Sequence, residues 1–249
     1  MEVFGPTVQG EGVDQGVACH FVRFGGCDYA CTWCDTPYAV LPKEVRQAEK
    51  LTDFEIVERL NVMPAAPWVI LSGGNPALHD LSELVPLLHE GGYRVAVETQ
   101  GSLWKPWMAW VDRLCVSFKP PSSLMGAKST TESARRFASR VTDVLSDDDW
   151  FVKIVVFDET DFLWAEEVHR LVRQISEAQF ILSAGNDAGR TVGQPDRADD
   201  RTNDQVRLGL LDSTRALTER FLQSDLRNDP LARVQAQQHV LLWGNAQGV

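Results

Sequence analysis

The sequence predicts an α/β fold built on a mainly parallel sheet. Six short apolar runs rich in β-branched residues alternate with stretches of helical spacing along the 249 residues. Parallel strands need crossover helices, and right-handed crossovers can curl such a sheet into a barrel or part of one, with ligands gathering where the strands end. No linker or internal repeat is visible, so we expect residues 1–249 to form a single domain.

The predicted strands are buried runs of β-forming residues. They are residues 17–23, 68–72, 93–98, 114–118, 151–157 and 179–183. After the sixth strand, residues 184–204 are rich in Gly, Asp and Arg and lack apolar periodicity, which predicts a long mobile loop. A last helix is predicted at about 205–224.

Two of the predicted helices have recognisable starts. Thr52 with Glu55 three residues later has the pattern of a capping box, which predicts a helix beginning after residue 52. In residues 161–175 apolar side chains recur at helical spacing, and Asp161 is the expected N-cap. These patterns indicate core packing and not a site.

The charge balance limits the classes of ligand. The net charge of −11 repels a polyphosphate backbone, so we do not expect nucleic acid as a partner. No apolar run approaches the roughly 18 residues of a membrane span, and no signal peptide is visible, so we expect a cytoplasmic protein without a membrane partner. Five cysteines, three of them clustered, suit a reducing compartment.

The clustered cysteines predict a metal centre. Cys27, Cys31 and Cys34 follow the spacing C-x3-C-x2-C, and three thiolates leave one coordination position open. A 4Fe-4S cluster held by three cysteines has one iron without a protein ligand, and that iron can bind an exogenous chelate. The alternative is a zinc ion whose fourth ligand is Cys19 or His20.

Two motifs together carry a resemblance to a known superfamily. The cysteine spacing, with the aromatic Trp33 before the last cysteine, resembles that of the radical S-adenosylmethionine enzymes. The segment LSGGNP at 71–76 looks like their second motif, a glycine pair at the end of a strand. Gly73 and Gly74 let the backbone approach the methionine end of the cofactor, where side chains would collide.

Eight segments in order resemble the 7-carboxy-7-deazaguanine synthase family. They are EVFGPTVQGEG at 2–12, FVRFGGC at 21–27, WCDTPY at 33–38, LSGGNPAL at 71–78, VETQG at 97–101, SFKPPSS at 117–123, VKIVVF at 152–157 and HVLLWGNAQGV at 239–249. The resemblance implies an abbreviated, partial TIM-like barrel of the radical S-adenosylmethionine type. It implies a lyase that converts 6-carboxy-5,6,7,8-tetrahydropterin to 7-carboxy-7-deazaguanine with release of ammonia, a ring contraction on the way to 7-deazapurine bases such as queuosine.

The same resemblance implies cofactors and partners. The cofactors are a 4Fe-4S cluster, S-adenosyl-L-methionine and Mg²⁺. The small-molecule partner is the pterin substrate, and the electron comes from an external flavodoxin or ferredoxin. Family members are commonly homodimers, so we expect a homodimer here.

The resemblance also assigns the substrate site residue by residue. The pterin contacts are Val8, Gln9, Gly10, Arg23 and Ser72. Arg23 is expected to meet the substrate carboxylate, because a guanidinium can bind a carboxylate through two parallel hydrogen bonds. The alternative for Arg23 is a surface salt bridge at a strand end.

A second set of positions is assigned to S-adenosylmethionine. These positions are Trp33, Cys34, Asp35, Gly73, Gly74, Asn75, Ser117 and Lys119. Many members of the superfamily have Glu where this chain has Asn75, so we expect a contact through the backbone carbonyl of Asn75. Alternatively, Lys119 is a solvent-exposed charge at the end of a strand.

Thr36 and His239 have open interpretations. The resemblance places Thr36 on a magnesium ion that also touches the substrate, which suits a hard cation that keeps several waters. Alternatively, the Asp35–Thr36 pair caps a short helix after the cysteine loop. His239 is either a substrate contact or a hydrogen-bonded core histidine.

Two other functions compete with this interpretation. An activase would use the same radical chemistry on a glycine of a partner protein, but the QGEG block at 9–12 would then have no role. A binding protein that is stabilised by a structural zinc ion would have no catalytic activity. Anaerobic reconstitution with iron and sulfide distinguishes a brown iron–sulfur protein from a colourless zinc protein.

We predict that changing Cys27, Cys31 or Cys34 to Ala abolishes cluster binding, because only these three thiols share one loop. Cys19→Ala and Cys115→Ala should keep about four irons per chain. Iron analysis and visible absorbance after anaerobic reconstitution measure the difference. Loss of iron from Cys115→Ala would show that the ligand assignment is wrong.

Overall fold

Eight strands form one sheet in the computed structural model, which describes residues 1–186, 201–246 and 248. In chain order they are β1 (Glu2–Val8), β2 (Ala18–Phe24), β3 (Trp68–Gly73), β4 (Arg94–Thr99), β5 (Arg113–Phe118), β6 (Trp150–Val156), β7 (Gln179–Ala184) and β8 (Ala232–Gln235). Each strand pairs with the next one in the chain. Only the β1–β2 pair is antiparallel, so the predicted mainly parallel α/β sheet is confirmed.

Seven α-helices occur among the described residues. They are α1 (Pro42–Gln47), α2 (Asp53–Asn61), α3 (Leu84–Glu90), α4 (Thr131–Thr142), α5 (Glu159–Val172), α6 (Asn203–Leu222) and α7 (Gln238–Trp243). The main hydrophobic core joins the apolar faces of helices α2 to α6 to one face of the sheet. In the part of the chain that is described, no helix is long and apolar enough to cross a membrane.

Strand alternation separates the core from a second, partly polar face of the sheet. On β6, Val152 and Ile154 belong to the main core, whereas Lys153 between them points to the opposite face. The strand register puts Lys153 beside Ser117 on β5, and it likewise puts Arg23 beside Ser72. We call this second face the inner face, and it collects the charged and hydroxyl side chains of the strands.

The two ends of the sheet are joined by the loop that follows β1. Gln15 Nε2 donates a hydrogen bond to the carbonyl oxygen of Ala236 at 2.9 Å. Gln238 N donates to the Gly10 carbonyl at 2.9 Å, while Gly12 and the Gln235 side chain exchange two hydrogen bonds of 3.0 Å. Side-chain and backbone contacts therefore bring the two ends together, although β8 pairs with β7 and β1 with β2.

The six predicted strands are confirmed, each shifted by at most one or two residues, but β1 and β8 were missed. β1 contains Gly5 and Pro6, which read as turn signals, and a register shift falls between Phe4 and Thr7. β8 has only four residues, of which Ala232 alone is buried. Both strands are stabilised by pairing with a neighbour, which no local pattern reveals.

The helix predictions are confirmed in part. The capping box of α2 is present, with Thr52 N donating to Glu55 Oε2 at 2.7 Å and Glu55 N donating to Thr52 Oγ1 at 3.3 Å. The N-cap of α5 is Asp158, so the prediction of Asp161 as N-cap is wrong. Asp161 is fully buried and accepts hydrogen bonds from Ser122 N and Oγ.

The C-terminal region differs from the prediction in one respect. The helix predicted at 205–224 is α6, which begins at Asn203, but α7 follows it and is the last helix described. Most of the loop predicted at 184–204 lies outside the described residues, and its predicted mobility is not addressed by the structure. The single domain over residues 1–249 stays a prediction.

Candidate active site

A cavity of about 260 Å³ lies on the inner face, toward the carboxyl ends of the parallel strands. We call it the chamber. Its lining includes charged and hydroxyl side chains from five adjacent strands or strand ends, Arg23, Ser72, Glu98, Ser117, Lys119 and Lys153. The remaining lining comes from the loop after β1, the cysteine loop after β2 and the C-terminal segment.

A buried ion pair lies in the chamber wall. Lys153 Nζ is 2.6 Å from Glu11 Oε2, and Glu11 Oε1 accepts a hydrogen bond from Gln237 Nε2 at 3.0 Å. Burial alone would raise the pKa of Glu11, but the charge of Lys153 lowers it to about 2. Burial alone would lower the pKa of Lys153, but the Glu11 and Glu98 carboxylates raise it above its usual range. Both groups are therefore charged at neutral pH.

Glu98 presents a second carboxylate to the chamber. Its Oε1 accepts a hydrogen bond from Gln9 Nε2 at 3.0 Å, and its Oε2 accepts one from Ser72 Oγ at 2.7 Å. Glu11, Glu98 and Lys153 were not among the predicted site residues. Two of these residues could have been identified from the sequence. Glu98 and Lys153 are charged residues in otherwise apolar strands, where burial of an unpaired charge is costly.

Arg23 lies between the chamber and the N-terminal strand. Its Nη1 is 2.7 Å from Glu2 Oε2 and also contacts the Tyr38 hydroxyl. Its guanidinium carbon is 5.1 Å from the centroid of the Phe4 ring. The salt bridge considered from the sequence exists, but the side chain is only 18% exposed and lines the chamber.

The three clustered cysteines all line the chamber. Burial raises the pKa of each thiol, to about 11 for Cys31 and about 12 for Cys34, and the Lys119 ammonium opposes this rise. Among the described residues, no group of three or more acidic, Cys or His side chains is gathered tightly enough for a single ion. A cluster of several irons separates its thiolates more widely than one ion does, so three cysteines facing one cavity beside a cation fit a 4Fe-4S cluster.

Cys19 and Cys115 lie outside the chamber lining, in two small apolar clusters. Cys19 precedes the end of β2 at Phe24 by five residues, which is roughly 16 Å at the rise of a strand. His20 is fully buried on the opposite face of the same strand. The structure therefore disfavours a zinc ion completed by Cys19 or His20.

The glycine pair packs against the start of the cysteine loop. Gly73 has a φ of +120°, and a Cβ there would lie 2.3 Å from the Phe24 carbonyl oxygen. A Cβ on Gly74 would lie 1.9 Å from the Gly26 carbonyl oxygen. Asn75 N donates to that same carbonyl at 2.7 Å. The backbone at the end of β3 therefore packs so closely on the backbone at the start of the cysteine loop that only glycine fits at these two positions. This packing requires the glycines independently of any cofactor.

Asn75 is the one predicted site residue that does not line the chamber. Its side chain is fully buried and bonded, with Oδ1 accepting from Thr99 Oγ1 at 3.0 Å and Nδ2 donating to Asp28 Oδ1 at 2.9 Å. Its backbone carbonyl accepts from Leu78 N at 3.0 Å. These bonds are made within the protein, and a contact of Asn75 with a cofactor stays a prediction.

The aromatic and cationic side chains near the cysteines are held by a hydrogen-bonded chain. Trp33 Nε1 donates to Ser122 Oγ at 2.9 Å, and Ser122 Oγ donates to Asp161 at 2.6 Å. Lys119 Nζ lies 5.7 Å from the Trp33 ring centroid and donates to Ser117 Oγ at 2.9 Å. Lys119 therefore faces the chamber and is not a solvated strand end.

Thr36 and His239 both line the chamber. Thr36 occupies the N-cap position of a short 3-10 helix, Pro37–Ala39, but its hydroxyl makes no capping bond and donates to Asp35 Oδ1 at 2.8 Å. The His239 ring packs on the loop after β1, because a Cβ on Gly10 would lie 2.2 Å from its Nδ1.

Comparison with known proteins identifies the family. The chain is 36% identical to the 7-carboxy-7-deazaguanine synthase of Bacillus cereus, across the whole chain and 98% of that protein. It is 35% identical to the synthase of Bacillus subtilis, again across the whole chain and 97% of that protein. The chain belongs to the 7-carboxy-7-deazaguanine synthase family. No protein-family model matches it.

Two solved structures share the fold of this synthase-family chain. QueE from Escherichia coli aligns with a TM-score of 0.63 at 19% identity, over 95% of this chain and 92% of that one. SuiB of Streptococcus suis bound to S-adenosylmethionine aligns with a TM-score of 0.53 at 13% identity, over 87% of this chain and 46% of that one. The expected partial barrel is confirmed.

The chamber brings together nearly all the positions that the sequence assigned. Apart from Asn75, every predicted site residue lines it, namely Val8, Gln9, Gly10, Arg23, Cys27, Cys31, Trp33, Cys34, Asp35, Thr36, Ser72, Gly73, Gly74, Ser117 and Lys119. The individual role of each residue in this member of the synthase family stays a prediction.

Proposed function

We propose that the chamber binds 6-carboxy-5,6,7,8-tetrahydropterin next to S-adenosylmethionine and a 4Fe-4S cluster. The enzyme is a 7-carboxy-7-deazaguanine synthase, a radical S-adenosylmethionine lyase that contracts the pterin ring and releases ammonia in 7-deazapurine biosynthesis. The observation that supports this arrangement is the meeting of three cysteines, the Arg23 guanidinium and the Glu98 carboxylate in one cavity. A structural zinc site would have no use for the last two groups.

Arg23 binds the substrate carboxylate. Its Nη1 is already engaged by Glu2 and Tyr38, so Nε and Nη2 are the donors left to pair with a second carboxylate. A cation in a half-buried site attracts the carboxylate more strongly than one in water. The Phe4 ring under the guanidinium restricts its orientation.

Glu98 and Gln9 orient the rest of the pterin. The amino and amide N–H groups of a pterin are donors, and a carboxylate is an acceptor only. Ser72 and Gln9 hold the Glu98 carboxylate in place, which reduces the ordering that substrate binding must impose. Val8, the last residue of β1, and Gly10, next to Gln9, supply backbone groups to the substrate.

The residues near the cysteine loop bind S-adenosylmethionine. Cys27, Cys31 and Cys34 hold the cluster, and the nucleoside and methionine parts are surrounded by Trp33, Cys34, Asp35, Gly73, Gly74, Ser117 and Lys119. Asn75 lies outside the chamber lining, next to Gly74. When bound, the reduced cluster and S-adenosylmethionine supply a radical that abstracts the hydrogen at C6 of the pterin. The chain's part is to position the two ligands and to exclude water.

Thr36 provides a magnesium site together with the substrate. Its hydroxyl oxygen lies beside Asp35 Oδ1, and both are oxygen ligands of the kind that Mg²⁺ prefers. Waters and the substrate carboxylate complete the coordination, so the ion binds with the substrate. Among the described residues, no group of acidic, Cys or His side chains forms a dedicated cage for the ion.

The enzyme works as a cytoplasmic homodimer with an external electron donor. Cys19 and Cys115 are buried in separate apolar clusters, so they do not support a second iron–sulfur centre in the described part of the chain. The electron therefore comes from a flavodoxin or a ferredoxin.

The proposed function is tested by anaerobic turnover of the carboxypterin, analysed by mass spectrometry for the deazapurine. Because the reaction is a rearrangement with elimination, the cofactor is re-formed in each cycle. Substrate deuterated at C6 should transfer deuterium to recovered S-adenosylmethionine. One 5′-deoxyadenosine accumulating per product, with no deuterium in the cofactor, would contradict radical recycling.

We predict that Arg23→Lys raises KM for the carboxypterin about tenfold or more. An ammonium group cannot form the two parallel hydrogen bonds that a guanidinium forms with a carboxylate. Loss of one charge-assisted hydrogen bond costs roughly 1.5–3 kcal/mol. Iron content should be unchanged. Arg59→Lys is the matched control, since Arg59 pairs with the exposed Glu49 outside the chamber and its KM should match the parent's. An unchanged KM in Arg23→Lys would assign Arg23 a structural role only.

A further inference from the structure

The Cys27 sulfur has two N–H groups directed at it. Gln100 Nε2 lies 3.6 Å from Cys27 Sγ, and the Tyr29 backbone nitrogen lies 3.4 Å from it. Both distances fall within the range of hydrogen bonds to sulfur. The backbone contact belongs to the cysteine loop itself, whereas the Gln100 side chain reaches it from the end of β4.

The Gln100 amide is held in place by its neighbours. Its Nε2 donates one N–H to Asp28 Oδ1 at 2.6 Å, and its second N–H is shared between Ser102 Oγ at 3.2 Å and the Cys27 sulfur. Both a carboxylate and a thiolate accept hydrogen bonds only, so the NH₂ end of the amide must face them. Gln100 is 5% exposed, which leaves little freedom to swing away.

Asp28 is fixed in turn by Asn75. The Asn75 amide nitrogen donates to the same Asp28 oxygen at 2.9 Å, and Asn75 is fully buried. Thr99 Oγ1 donates to Asn75 Oδ1 and so sets the orientation of this amide as well. The three residues therefore form a connected series, Asn75 to Asp28 to Gln100, that ends at the cysteine sulfur.

We propose that Gln100, positioned by Asp28 and Asn75, donates an N–H hydrogen bond to the Cys27 thiolate and raises the reduction potential of the cluster. The inference rests on the proposed 4Fe-4S cluster. Reduction adds negative charge that is shared with the cysteine sulfurs, and a donor to sulfur stabilises that charge. Gln100 thereby makes it easier for the external one-electron donor to reduce the cluster, and Asp28 and Asn75 are positioning residues.

The test is a redox titration of the reconstituted protein, followed by electron paramagnetic resonance of the reduced cluster. Gln100→Leu and Gln100→Met remove the donor with two different shapes. Both variants should have a reduction potential that is more negative by about 59 mV. This shift corresponds to a tenfold lower equilibrium constant for one-electron reduction. Gln223→Leu is the control, because Gln223 is exposed at the end of α6, and its potential should equal the parent's.

The results distinguish a failure of the proposed function from a failure of this inference. A parent protein that binds no cluster overturns the proposed function. A parent that binds about four irons, with potentials unchanged in both Gln100 variants, overturns this inference alone. Loss of iron from both variants also overturns it, because Gln100 would then be needed to retain the cluster and not to tune it.

Discussion

The buried ion pair between Glu11 and Lys153 holds the loop after β1 against the inner face of the sheet, and the wall of the chamber is built around this contact. The sheet is open, since β1 pairs only with β2 and β8 only with β7 among the described strands. Glu11 belongs to the loop after β1, and Lys153 lies on β6, 142 residues away. Their contact fastens the loop after β1 to the inner face at β6, and the Gln237 hydrogen bond to Glu11 ties the same loop to the segment after β8. If either partner were removed, the other charge would be buried without its ion-pair partner.

The ion pair also sets the electrostatics of the chamber. Because the folded-state pKa of Glu11 is lowered to about 2, its contribution to stability is present above the ordinary carboxyl range and is lost as pH falls toward that value. Lys153 is paired with Glu11 and Arg23 Nη1 with Glu2, whereas Lys119 donates to the neutral Ser117 hydroxyl and lies beside the cysteines. The proposed positions of the substrate carboxylate and of the cluster lie beside different cations of the chamber, Arg23 and Lys119.

The elements that were predicted correctly are those with a local sequence pattern. The six central strands have continuous apolar runs, and the cysteine loop and glycine pair have fixed spacings, so both were recognised. β1 and β8 were not, because their stability comes from pairing across the sheet. Asn75 was assigned to the cofactor by analogy of position, whereas its hydrogen bonds to Thr99 and Asp28 depend on residues distant in sequence. Glu11 was missed for the same reason, because its partner Lys153 is 142 residues away. Lys153 is visible in the sequence as a charge inside an apolar strand, but no local pattern identifies its partner.

A double-mutant cycle on Glu11→Gln and Lys153→Met tests this account most directly. Free energies of unfolding would be measured by urea titration at neutral pH, with equal iron content in all four proteins. Each single variant should lose about 3–5 kcal/mol, because it leaves one buried charge unpaired, and the double variant should lose much less than the sum. The exposed Glu167–Arg170 pair is the control, with an expected coupling below about 1 kcal/mol. Additive losses at Glu11 and Lys153 would contradict the claim that this pair holds the loop after β1 against the inner face.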